Sequence, residues 1–301
     1  MKKTILGKTG IEVSKLGLGL AEIRDLSGKS GIEQAAHVIN EALDRGINFL
    51  DTAACYGNSE KLIGESVAHR RNEYALATKC GHAIDDFGGE PWSRETIRAS
   101  IEASLRDMKT DHLDLVQLHS CGIEVMEKGD IIEELMKAKD MGKTRFVGYS
   151  GDNEDALWAI QSGIFDTLQT SLSLVDQHAS TKLLEPAKTQ NMGVIVKRPI
   201  GNAVWGQSST VRSYNDAYLE RAQSMAAIGP IEEAPTDPIL LAMGFVFAHN
   251  LVDTAIVGTL NVSHMCSNID MINEKLPISP KTVEELRRRY DILGKQWCQL
   301  M

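Results

Sequence analysis

The sequence predicts one α/β domain closed into a (β/α)8 TIM barrel, and three observations predict it. Eight short apolar or β-branched runs alternate with amphipathic helical stretches from residue 16 onward. The first strand-to-helix junction, Gly17-Leu18-Gly19-Leu20-Ala21-Glu22, lacks the G-x-G-x-x-G turn that opens a helix in dinucleotide-binding open sheets. The 301 residues suit a barrel built around one continuous core, so 1–301 reads as a single domain without a linker or low-complexity tract.

Each element follows in chain order. Thr4-Ile5-Leu6 and Ile11-Glu12-Val13 flank Gly7-Lys8-Thr9-Gly10, which predicts an N-terminal β-hairpin capping the barrel floor. Strands are predicted over Leu16 to Leu20, Phe49 to Asp51, Tyr74 to Lys79, Leu113 to Leu118, Arg145 to Ser150, Thr167 to Ser171, Gly193 to Lys197 and Asp253 to Val257. Helices fall between them, over Glu33 to Arg45, Ser59 to His69, Glu95 to Asp107, Ile131 to Met141, Asp155 to Ser162, Ser180 to Gln190 and Pro238 to His249. Ser93 and Thr236-Asp237-Pro238 supply helix starts; Gly46, Gly142, Gly163 and Gly193 mark stops. After the eighth strand, Asn261 to Ile272 and Val283 to Gly294 read as C-terminal helices, and Asn202 to Ala234 is one long insertion.

Composition narrows the function. Hydrophobic residues make up 43% and charged residues 24%, enough for a packed core. The net charge of -9 is spread along the chain without basic blocks, which argues against nucleic acid. No apolar run approaches the roughly 18 to 20 residues of a membrane span, and MKKTILGKTG has no signal-peptide core. The expected location is cytoplasmic. Five cysteines without a Cys-x-x-Cys pair read as reduced thiols. The sequence assigns no oligomeric state.

In such a barrel, side chains at the C-terminal ends of the strands converge on one mouth. Asp51 closes the second strand, with Tyr56 five positions later; Lys79 closes the third and His119 the fourth. A tyrosine hydroxyl titrates near ~10, so it needs a nearby cation to exchange protons at neutral pH. Lys79 would supply that cation, Asp51 would keep it charged, and His119 would orient a substrate oxygen. This set suffices to reduce a carbonyl, with Tyr56 protonating the oxygen.

The segment Phe49-Leu50-Asp51-Thr52-Ala53-Ala54-Cys55-Tyr56-Gly57-Asn58-Ser59-Glu60 resembles the aldo-keto reductase signature. The resemblance extends through Leu6-Gly7-Lys8-Thr9-Gly10, Val13-Ser14, Ser104-Leu105, Asp114-Leu115-Val116-Gln117-Leu118-His119 and Gly148-Tyr149-Ser150. It implies a nicotinamide-dependent oxidoreductase acting on a small-molecule carbonyl or alcohol. Ser150 and Gln169 match residues that hold the nicotinamide carboxamide, with Gly151 where an asparagine is common. Lys197 stands where many members stack an aromatic ring; either its stem covers the nicotinamide while the ammonium reaches solvent or a phosphate, or the ammonium pairs with a carboxylate at the barrel rim. Arg198, Ile200 and Asn202 match the loop along the pyrophosphate. Gly258, Thr259, Asn261, His264 and Asn268 match the loop and helix start that clasp the adenosine phosphate. Leu260 replaces a basic residue of many members, yet these polar neighbours favour NADP(H), with NAD(H) the alternative.

Competing readings are weaker. Cys55, Cys80, Cys121 and His82 crowd the same mouth and have zinc-ligand chemistry, but adjacent loop residues need not converge, so no metal is assigned. Oxidation-sensitive thiols are a second possibility for these cysteines. Phe87 and Trp205 are candidates for the pocket wall, Asp85-Asp86 reads as a solvated pair, and Trp92 reads as a staple on its own helix. The resemblance also admits a cofactor-binding regulatory subunit, as in the potassium-channel β subunits. Schiff-base chemistry at Lys79 is a third alternative.

Overall fold

A computed structural model describes residues 1–83, 89–210 and 213–300. Strands β1 (Lys3–Ile5) and β2 (Glu12–Ser14) form the expected antiparallel hairpin. Eight parallel strands then close a barrel: β3 (Leu16–Gly19), β4 (Phe49–Asp51), β5 (Ala75–Cys80), β6 (Leu113–His119), β7 (Thr144–Ser150), β8 (Thr167–Ser171), β9 (Gly193–Lys197) and β10 (Thr254–Val257). Closure pairs β10 with β3, Ala255 opposite Leu16.

Helices cover the outside. They are α1 (Gly28–Asp44), α2 (Ser59–Val67), α3 (Arg94–Asp107), α4 (Ile123–Met126), α5 (Asp130–Asp140), α6 (Asn153–Gln161), α7 (His178–Lys182), α8 (Leu184–Thr189), α9 (Asp216–Ala226), α10 (Pro238–Phe247), α11 (Val262–Asp270) and α12 (Pro280–Leu293). Ser93 and Asp237 cap α3 and α10 through their side chains, as their positions predict.

Two expectations need correction. The helix foreseen over Ser180 to Gln190 breaks at Leu183, whose φ is -115°. Pro186 explains the break, because its ring cannot follow the carbonyl of Lys182 in a continuous helix. The insertion from Asn202 to Ala234 holds α9, whose buried residues Tyr218, Arg221, Ala222 and Met225 have helical spacing. Trp92, next to the Ser93 cap, packs partly buried against the core cluster that includes Ile97 of α3; its backbone N–H donates to Gly81, and its ring stands beside His82, centroids 5.0 Å apart.

The inward-facing layers position the site. Side chains two residues apart share a strand face, and Phe49, Ala75, Ala77, Leu115 and Ile195 fill the lower barrel with Leu6 and Val13 of the hairpin region packed beneath. The next residues along the same faces are Asp51, Lys79, Gln117 and Lys197. An apolar plug thus supports a polar upper layer.

Candidate active site

The signature segment is pinned before its chemistry begins. Gly57 has φ +44°, and a Cβ there would stand 2.8 Å from the Arg24 carbonyl, so the turn after Tyr56 requires glycine. The Asn58 N–H donates to that same carbonyl at 3.0 Å. The Thr52 and Ser59 hydroxyls lie 2.8 Å apart, and Ser59 donates to Leu20. Glu60, at the start of α2, accepts hydrogen bonds from Thr78 and Ser104, which tie α2 to β5 and α3.

The four predicted catalytic residues converge. Lys79 Nζ donates to Asp51 Oδ1 at 2.6 Å and to the Thr52 carbonyl at 2.7 Å, both side chains almost fully buried. The ammonium lies 5.3 Å from the Tyr56 ring centroid. Tyr56 meets His119 edge-on, centroids 5.7 Å apart. His119 Nδ1 lies 3.4 Å from Cys55 Sγ, and its ring meets His82 edge-on at 4.7 Å.

Burial pushes the Lys79 ammonium down, but Asp51 and Tyr56 outweigh it and hold the ammonium above its ordinary value. The Lys79 charge pulls the Tyr56 hydroxyl down; burial, Asp51 and Cys55 together outweigh that pull, and the hydroxyl sits above its ordinary value. Burial and the neighbouring Lys79 charge drive His119 down to about 2, so its ring is neutral.

Cofactor candidates surround this group. Ser150 donates to Gln169 Oε1 at 2.9 Å, and Gln169 Nε2 donates to Asp51 Oδ2 at 2.7 Å, which links the two positions expected to hold the carboxamide to the Lys79–Asp51 pair. Both polar groups keep further hydrogen-bonding capacity. Of the two arrangements expected for Lys197, the ammonium takes the carboxylate pair: it meets Asp152 at 2.9 Å, and Asp152 also accepts from Thr170, Ser171 N and Ser171 Oγ. Arg198 turns toward the chain's last turn, donating to the Leu300 carbonyl at 2.8 Å and to Tyr218 at 3.1 Å. Ile200 packs against the core. Asn202 Nδ2 and Ser173 Oγ are buried without a partner among the described residues. Orphaned donors beside a loop fit a phosphate-bearing group.

At the other end of the mouth, Gly258 follows β10 and lies against Gly19 and the Glu22 side chain. Asn261 caps α11, accepting from Ser263 N at 2.8 Å and His264 N at 3.4 Å, and Thr259 Oγ1 accepts from Asn261 N. His264 is exposed and Asn268 is buried. Leu260 packs inward.

The sequence reading missed Asp152 and Gln117. Gln117 Nε2 approaches Asp51 at 3.5 Å, and its place two residues before His119 on one strand was a usable signal. Asp152 carried none. Cys80 and Cys121 are buried, and burial pushes the Cys121 thiol up to about 12, which opposes an oxidation-prone role. Among the described residues no three His, Cys, Asp or Glu side chains converge as metal ligands. Trp205 is half-buried against the core, while Phe87 and Asp85-Asp86 lie outside the described residues. No helix of the described residues is long and apolar enough to cross a membrane.

Comparison with known proteins gives the arrangement its relatives. The chain is 27% identical to an L-galactose dehydrogenase of Arabidopsis thaliana, over 93% of this chain and 92% of that protein. It is 27% identical to an NADH-specific methylglyoxal reductase of Escherichia coli, over 77% and 79%. The holo form of an aldo-keto reductase from Bacillus halodurans has the same fold, with a TM-score of 0.79, 24% identity and 96% of each chain covered. A putative aldo-keto reductase structure from Pseudomonas aeruginosa superposes with a TM-score of 0.70 at 27% identity, over 89% of this chain and 94% of that one. The aldo/keto reductase family model matches residues 15–290, which include every barrel strand and the whole polar layer, and the chain therefore belongs to the aldo/keto reductase family.

Proposed function

We propose that this protein transfers hydride between NAD(P)H and the carbonyl of an aldehyde, ketone or sugar, with Tyr56 as general acid in reduction and general base in oxidation. Family membership carries the coarser statement, a nicotinamide-dependent oxidoreductase. The observation that carries the finer one is the buried Lys79–Asp51 pair beneath the Tyr56 ring, with neutral His119 at its edge.

When bound, the nicotinamide supplies or takes up the hydride. The chain's own residues handle the proton. Tyr56 holds its proton at neutral pH, so it can release it to a substrate oxygen as negative charge develops there. Lys79, fixed by Asp51, then stabilises the tyrosinate. Neutral His119 can donate a second hydrogen bond to the same oxygen and fix its position. Ser150 and Gln169 would hold the carboxamide, and Asn202 with Ser173 would meet phosphate oxygens.

Our reading for the cofactor is NADP(H), with NAD(H) accepted. The exposed His264 ring and the Asn261 side-chain NH2 are donors for a 2′-phosphate, but Leu260 brings no charge. The relative named as NADH-specific supports the second cofactor.

The test follows absorbance at 340 nm against a panel of aldehydes, ketones and sugars with NADPH and NADH. Tyr56→Phe is expected to lower kcat by roughly 10²-fold or more while cofactor affinity is kept. Unchanged turnover removes Tyr56 from the role. Tight cofactor binding with no turnover of any compound overturns the enzyme reading in favour of a regulatory subunit.

A further inference from the structure

We infer that His82 contacts the substrate and reads a hydroxyl group next to the reacting carbonyl, favouring α-hydroxy aldehydes, α-hydroxy ketones and sugars over unsubstituted carbonyl compounds. This rests on the proposed function, which puts the carbonyl oxygen between Tyr56 and His119.

The His82 ring stands edge-on to His119 with centroids 4.7 Å apart. At that spacing, two imidazoles can address two oxygens on adjacent carbons. The ring is half-buried, and the backbone of His119 favours a proton on it, which directs the N–H of the neutral ring to that side. Burial holds the imidazole below its ordinary value, so it is neutral near pH 7. A neutral imidazole with its N–H committed to a carbonyl has only an acceptor left. An acceptor selects a hydroxyl, because an O–H donates and an alkyl group does not. Among the described residues no other polar side chain bonds the ring.

The ring is held before a substrate arrives. Trp92 meets it at a tilt of 59°, centroids 5.0 Å apart, and the Trp92 ring occupies the space a Cβ on Gly81 would need, the nearest ring carbon lying 1.9 Å from that position. The peptide of Trp92 is bonded to Gly81 at 2.8 Å. Such support lowers the ordering cost of binding and sharpens discrimination.

The experiment compares lactaldehyde with propanal, which differ by one hydroxyl, for wild type, His82→Phe and His82→Gln, with NADPH and NADH. Wild type is expected to favour lactaldehyde by about tenfold or more in kcat/KM, in keeping with one hydrogen bond to a substrate hydroxyl. His82→Phe, which keeps the bulk and loses the acceptor, should abolish most of that preference, with a several-fold smaller effect on propanal. His82→Gln, which restores an acceptor, should recover part of it. Equal losses on both aldehydes, or a preference that survives His82→Phe, overturn the inference. A wild type that does not favour lactaldehyde overturns it without any variant. A wild type that turns over nothing in the wider panel overturns the oxidoreductase activity itself, and this inference with it.

Discussion

Lys197 and Asp152 are each nearly enclosed, with side chains 16% and 2% exposed, and form an ion pair beside the expected nicotinamide site. Burial pushes the Asp152 carboxyl up, but Lys197 and the Ser171 N–H bring it below its ordinary value, so the pair is charged and compensated. A compensated pair projects a dipole field rather than that of a bare ammonium. Removing only the lysine leaves a buried carboxylate unpaired, a change that typically costs about 3–5 kcal/mol. We predict that Lys197→Met lowers unfolding free energy by roughly 3 kcal/mol in urea melts, and that adding Asp152→Asn restores most of it. The ratio of dissociation constants for oxidised and reduced cofactor should stay within about threefold of wild type. A larger shift would mean that the ammonium acts on the nicotinamide despite its partner. The position of Lys197 at a strand end was readable in the sequence; its partner was not, because the loop carrying Asp152 meets β9 only in the closed barrel.

Among the elements, α11 and the loop before it are the ones we propose to meet the adenosine phosphate. Asn261 accepts two N–H groups at the first turn, and the loop turns Leu260 inward while leaving His264 exposed. The Glu22 side chain lies beside Gly258 and adds an acidic neighbour at this end. A guanidinium at position 260 would pair with a 2′-phosphate in a bidentate manner. Leu260→Arg is expected to shift the ratio of kcat/KM toward NADPH by about tenfold, the scale of one charge-assisted bond. His264→Ala should weaken NADPH binding more than NADH binding, measured by fluorescence titration. Equal losses would place the 2′-phosphate elsewhere. The same scale shows what local patterns encode. Short apolar or β-branched runs located every strand to within a residue or so at either end, and the Ser93 and Asp237 caps lie where expected. Pro186 was visible, but the resulting break was not foreseen, and α9 was overlooked because its buried face is mixed, with Tyr218 and Arg221 among its core residues.

Across the whole molecule, buried ionisable groups give stability a pH dependence with two opposing signs. Burial raises Glu60, behind the catalytic group, and Asp176, beneath the last turn, each to about 7. Both carboxyls hold a proton in the folded chain that the unfolded chain releases above 4.5 for Glu60 and 3.8 for Asp176, so stability falls as pH rises from those values to about 7 and then levels off. His119, driven down to about 2, works the other way: the unfolded ring gains a proton below about 6.5, and stability is lost as pH falls beneath that value. A variant comparison separates the two. Glu60→Gln keeps an acceptor for Thr78 and Ser104 and removes the ionisation. Relative to wild type it should gain stability from pH 5 to pH 8, by about 3 kcal/mol at most, read as the difference between thermal melts at the two pH values. A pH-independent difference would show that Glu60 does not titrate in this window.

The sequence by itself determined the barrel, the hairpin beneath it, the C-terminal helix and the positions of Asp51, Tyr56, Lys79 and His119. These are encoded in side-chain periodicity and turn chemistry that act over a few residues, and a closed parallel barrel brings its strand ends to one mouth. Only the tertiary structure decided which groups meet across that mouth. Gln169 bonds Asp51 from 118 positions away, and Gln299 bonds the Ser171 carbonyl from 128. Such partnerships depend on the register in which the barrel closes and on the burial that follows, and burial also makes Lys197 require Asp152 and leaves the His82 ring neutral beside His119. No local pattern contains that information, because the energy of a buried polar group is set by whichever distant residue is folded against it.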